Sequence, residues 1–164
     1  MRSALFIPVI LAALLATGCQ PSNTYKSEDG TVVVERNEKG EATRVRVKGA
    51  ESRTASYQAG TEGLPTDYPK DVPVYPGAKV TSSLAGSDKN KEGSMVTFES
   101  SAALTDLAAY YRNQLEANGW MIRSSMAVGQ TLVIQSAKEH RTLAINIQDN
   151  GSIRIWQQTL ASAD

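Results

Sequence analysis

Only one stretch of this chain, Leu104 to Trp120, carries apolar residues at helical spacing, and that limits what the rest can build. Leu104, Leu107, Ala108, Tyr111 and Leu115 form a stripe at i, i+3, i+4, i+7 and i+11, the buried face of an amphipathic helix. Ser100 or Ser101 is placed to cap its start. Asn118-Gly119 ends it, with Gly119 in the left-handed position and Trp120 folded back on Leu115, the contact of a Schellman ending. Around this helix the pattern has period two, the signature of half-buried strands. Val80 and Leu84 alternate with Lys79, Thr81 and Ser83, and Val96 and Phe98 with Met95, Thr97 and Glu99, across the polar turn "SDKNKEG". After the helix, Ile122 and Met126 share one face and Arg123 and Ser125 the other. Then follow Leu132 and Ile134, then Leu143, Ile145 and Ile147, then Ile153 and Ile155, with a tight turn at Asp149–Gly151. One helix can cover about six antiparallel strands only if the sheet curls around it. The expected fold is therefore α+β: a curled antiparallel sheet of about six strands on one helix, in the order ββαββββ and helix-grip-like.

Upstream of residue 78 the chain changes character. "LPTDYPKDVPVYPGAK" holds prolines at 65, 69, 73 and 76, which fix φ and remove amide donors. It reads as an extended strap, with Tyr68, Val72, Val74 and Tyr75 inward and a type II turn at Tyr75–Ala78. "TVVVER" and "TRVRVK" flank "NEKGEA" and read as a β-hairpin over 31–48. An isolated hairpin is marginal in water, so it must dock on something. Its charged residues read as a solvated face. Residues 19–30 read as a tether, 49–63 as a linker, 64–159 as the α+β domain and 160–164 as a tail.

Residues 1–18 have the parts of a secretory signal: Arg2, an apolar run from Ala4 to Ala16, then the small Thr17 and Gly18. The run is too short for a membrane span of roughly 20 apolar residues. The single cysteine, Cys19, follows at once, and a lone thiol cannot form an intramolecular disulfide. The whole chain has 17 basic and 17 acidic residues. Loss of Arg2 with the leader leaves 16 against 17, a net charge of −1. No basic excess points to nucleic acid.

"ATGC", Ala16 to Cys19, resembles the lipobox of bacterial lipoproteins, with Ala16 where Leu is usual. The resemblance implies cleavage between Gly18 and Cys19, diacylation of the Cys19 sulfur and attachment to a membrane through the N-terminal lipid. Gln20 in place of aspartate implies an outer-membrane location, facing the periplasm. "PKDVPVYPGAKV" and "YYRNQLEANGW" make residues 64–158 similar to a domain of uncharacterised bacterial lipoproteins, a likeness of fold and compartment that carries no reaction.

Catalytic chemistry has little to stand on. His140, the one histidine, lies in the polar turn "KEHRT". No Gly-x-Ser-x-Gly elbow or phosphate loop is present, and one histidine with scattered carboxylates is a poor metal set. We expect no enzyme, no catalytic residue, no metal and no cofactor. Trp156, with Arg154 and Arg123 on the polar face of the sheet, is the candidate interaction surface. The bland reading, that Trp156 covers an apolar edge or meets the hairpin, is preferred. The expected function is a lipid-anchored, non-enzymatic binding or interaction module of the cell envelope, with an envelope protein as partner and no nucleic acid. The alternatives are a carrier holding a small amphiphile between helix and sheet, and a hydrolase of envelope polymers.

Overall fold

A computed structural model describes residues 22–50, 53–60, 63–88 and 91–160. The expected leader, the Cys19 lipidation site and residues 161–164 lie outside the described residues. Ten strands and one helix follow in order: β1 (Ser22–Ser27), β2 (Gly30–Arg36), β3 (Ala42–Gly49), β4 (Thr54–Ala59), β5 (Lys79–Asp88), β6 (Lys91–Glu99), α1 (Leu104–Ala117), β7 (Met121–Val128), β8 (Thr131–Lys138), β9 (Arg141–Gln148) and β10 (Ser152–Leu160). All ten strands belong to one antiparallel sheet, ordered β1-β2-β3-β4-β5-β6-β10-β9-β8-β7.

The expected six-strand sheet is therefore wrong. The six strands after residue 78 continue through β5 into β4, β3, β2 and β1 without a break. The hairpin of residues 31–48 is not a separate piece docked on a domain. The presumed linker contains β4, which pairs with β3 on one side and β5 on the other. The presumed tether contains β1, the edge strand beside β2. The backbone amides that a lone hairpin would leave to water are thus paired within the sheet.

The core lies between the sheet and a cover made of α1 and the strap. Leu107, Ala108, Tyr111 and Leu115 of α1 are buried over β7, β8 and β9. They meet Ile134, Leu143, Ile145, Ile147, Ile153, Ile155, Val96 and Phe98. The helix starts later than the serines suggested: Ala103 is its N-cap, without a side-chain cap. Ser100 Oγ instead accepts from the amide of Ala102 at 3.2 Å. The other end is the Schellman ending. Gly119 has φ 78°, its amide donates to Glu116 O at 3.0 Å and the Trp120 amide donates to Leu115 O at 2.9 Å.

The strap runs alongside, with Val72 buried and Tyr68, Val74 and Tyr75 packed on the core. Tyr110 Oη donates to Val74 O at 2.7 Å, and the Tyr75 amide donates to Tyr111 Oη at 3.3 Å. Its end is latched by Asp71. Arg141 and Lys138 both donate to the Asp71 carboxylate, Lys138 at 2.8 Å. Lys138 also donates to Asn118 O, and Trp120 Nε1 donates to Asp71 O. The guanidinium of Arg141 sits 4.8 Å over the Trp120 ring. These hydrogen bonds, those from Arg141 above all, hold the Asp71 carboxyl well below the usual carboxylate range against the opposing effect of partial burial.

Two bulges overturn the expected facing of two strands. In β5 the register shifts between Val80 and Ser82. Val80 stays on the core side, but Leu84 points to the opposite face, 42% exposed. In β7 the shift falls between Ile122 and Ser124, so Ile122 packs on the core while Met126 is 53% exposed. An extra residue in one strand inverts every side chain beyond it.

Candidate functional site

α1 and the strap cover only part of one face of the sheet. Beside them, over β2 to β6 and the end of β10, that face is open and forms a trough of about 880 Å³. It adjoins a smaller hollow of about 260 Å³, with which it shares Arg46, Ser56, Asp67, Ala85 and Ser94.

The trough follows from the residues at each register position. One row across the strands reads Arg46, Ser56, Ala85, Ser94, Gln157, Leu143. Its neighbour reads Lys48, Thr54, Ser87, Glu92, Thr159, Arg141. Where the core has Val96, Phe98 and Ile155, these rows place serine, alanine and threonine, whose short side chains leave the space unfilled. Arg46 and Lys48 stand at one rim and Arg141 at the other, while Asp67 and Pro69 of the strap close the side.

The polar groups are unequally satisfied. Glu35 is shared between Arg44 and Arg46, each at 3.3 Å. Thr54 and Ser87 are joined through their hydroxyls at 2.8 Å. No carboxylate among the described residues pairs with Lys48. Gln157 is only 9% exposed. Its amide nitrogen donates to Thr159 Oγ1 at 3.5 Å, but its Oε1 is buried without a partner. A buried acceptor left in that condition costs about 1–3 kcal/mol. Tyr68 Oη, at the smaller hollow, is likewise buried and unpaired, and burial, with Tyr111 close by, pushes its pKa up.

Trp156 and Arg154 are both exposed on the face away from α1. Trp156, 43% exposed, is paired with Met95 and Ala144. It neither meets the hairpin nor is covered by it. Arg123 sits at the β7 bulge, three strands from Trp156 in the sheet order, or roughly 14 Å. The structure brings Trp156 and Arg154 together and leaves Arg123 apart. His140 is exposed in the turn between β8 and β9. Among the described residues no three His, Cys, Asp or Glu side chains are placed to hold a metal ion.

Trp156 belongs to a feature that the sequence reading missed. On its face the register reads Val34, Val45, Tyr57, Leu84, Met95, Trp156, Ala144, an apolar row across seven strands. A parallel row holds Tyr25, Val32, Val47 and Ala55. The alternation of "TVVVE" and "TRVRV" carries this signal, because Val32, Val34, Val45 and Val47 share one face while Glu35, Arg44 and Arg46 take the other, together with Val33. It becomes a row only when Leu84 joins it, and the β5 bulge that turns Leu84 outward leaves no mark in the sequence.

Comparison with curated proteins and with solved structures gives no match. Residues 80–158, running from β5 through α1 to β10, match a family model described as START domain-like. A curled sheet with one helix laid on it fits that likeness, and such an architecture is compatible with a ligand-binding module.

Proposed function

We propose that this chain is a lipid-anchored, non-enzymatic binding module of the bacterial cell envelope, whose trough holds the polar part of a small amphiphilic ligand. The observation that carries the reading is the trough itself, an open space on the helix-bearing face whose lining holds a buried Gln157 Oε1 without a partner and Lys48, which pairs with no carboxylate among the described residues. A ligand with a hydrogen-bond donor would satisfy Gln157, and an anionic group would meet Lys48. The START-like stretch supports a ligand-carrying role. The ligand's place differs from the sequence expectation. The interface between α1 and the sheet is filled by Leu107, Tyr111, Leu115, Ile134 and Ile145, and the open volume lies beside it.

The anchor is proposed from the lipobox. Two or three acyl chains on Cys19 give lasting attachment, where one chain gives only reversible binding. The location is then the outer membrane, facing the periplasm. Organic extraction of the protein purified from its native membranes, followed by mass spectrometry, should release a stoichiometric small molecule. That yield should fall in Lys48→Glu, an exposed change that leaves the core untouched. Equal, trace yields from both proteins would reject the trough as a ligand site. If crosslinking in cells instead recovers one specific envelope protein through residues of the trough rim, the module binds a protein there.

A further inference from the structure

The face of the sheet away from α1 has no cover among the described residues, yet its apolar row runs unbroken from Val34 to Trp156. That is five strand spacings, roughly 24 Å. We propose that this face lies on the lipid surface to which the chain is anchored, with Tyr57 and Trp156 at the level of the headgroups. The proposal rests on the lipid anchor inferred above.

Three observations select a bilayer as the occupant. First, charge is segregated. In β2 and β3 Glu35, Arg44, Arg46 and Lys48 take the helix-bearing face and Val32, Val34, Val45 and Val47 the other, where Arg36 stands only at the very end of β2, beyond the apolar rows. Neither of the two rows on that face contains a charged residue over these strands. Second, the large residues there are the kind that sit at membrane interfaces. Tyr25, Tyr57 and Trp156 are 57%, 40% and 43% exposed, and such rings place an apolar body in lipid and a polar edge in water. Arg154, exposed on the same face, would meet phosphate groups. Third, the chain reaches this face from the right side. β1 is an edge strand that begins at Ser22 and puts Tyr25 in the apolar face. Cys19 stands three residues earlier, within about 11 Å. Acyl chains on Cys19 would bring the bilayer to the margin of this face.

The molecule carries its own probe. Trp156 lies on the face and Trp120 is buried in the core, 2% exposed, so the difference between wild type and Trp156→Phe isolates the emission of Trp156. The full-length protein, as cells process it, is placed with vesicles of phosphatidylethanolamine and phosphatidylglycerol whose acyl chains are brominated. Acylation of Cys19 is read separately by labelling with an alkynyl fatty acid, against Cys19→Ser. Docking predicts that the bromolipid quenches Trp156, that Trp156→Phe removes this quenching, and that Leu84→Ser with Tyr57→Ser abolishes it while circular dichroism stays unchanged. Labelled protein with unquenched Trp156 would overturn the docking and leave the anchor standing. Quenched Trp156 without label would keep the docking and reject the anchor, and neither signal would reject both. A dimer in sedimentation that is lost in Leu84→Ser, with Trp156 unquenched, would overturn the proposal by showing that a second copy covers the face.

Discussion

Asp71 ties together three parts of the molecule that are far apart in sequence: the strap, the end of α1 through Lys138, and the β8–β9 hairpin through Arg141. Asp71→Asn should cost about 2–3 kcal/mol of stability, measured by urea denaturation at neutral pH. Its pH dependence has a definite sign. The folded Asp71 carboxyl titrates below its unfolded value, which is about 3.9. Its contribution is therefore complete above that pH and is lost as pH falls towards the folded value. Wild type should lose stability below about pH 4 more steeply than Asp71→Asn does. Curves of equal slope would show that the latch adds nothing. Gly151 is the second residue on which local structure hinges. It has φ 82°, and a Cβ there would fall 1.9 Å from Ser100 O. Gly151→Ala should destabilise by about 2–4 kcal/mol, readable as a lowered thermal midpoint.

At the scale of elements, what could be read from the chain depended on whether burial wrote itself into the pattern. The stripe of α1, its Gly119 ending and the alternation of Val96 with Phe98 were legible because one face of each is buried in the core. β1 and β4 were not. "SNTYKS" is polar but for Tyr25, and "TASYQA" alternates but offers only two alanines and one tyrosine on its apolar side, because one side of each strand lines an open trough or meets solvent and the other is not packed in the core. Their strand character comes from hydrogen bonding to neighbours, which a sequence does not display. The bulges in β5 and β7 were hidden for a related reason: a one-residue insertion leaves composition unchanged and inverts facing. Of the candidate surface, Trp156 and Arg154 could be placed together by their spacing on one strand. The trough could not, since it depends on which small residues of β4, β5 and β6 come into register. If β4 splices the first three strands to the rest, Ser56→Pro should break that splice at a cost of about 3 kcal/mol or more. Hydrogen exchange should then accelerate across β1 to β3 while β8 and β9 keep their protection. Uniform loss of protection would mean the sheet opens only as one unit.

For the molecule as a whole, the sheet divides the labour between its faces. One face carries the core, the helix, the strap and the trough; the other carries the apolar row. The chain therefore offers a trough and an apolar surface back to back, the arrangement that the proposed ligand site and the proposed lipid-facing surface require. The most direct test of the central claim is native mass spectrometry of the full chain purified gently from cells, comparing wild type with Ser94→Trp, which fills the floor of the trough between Ala85 and Gln157. Lys48→Glu, at the exposed rim, checks the result without touching the floor. We predict a single small-molecule adduct on wild type, absent from Ser94→Trp and reduced in Lys48→Glu. Wild-type protein carrying no adduct, or one retained equally by both variants, would contradict the account.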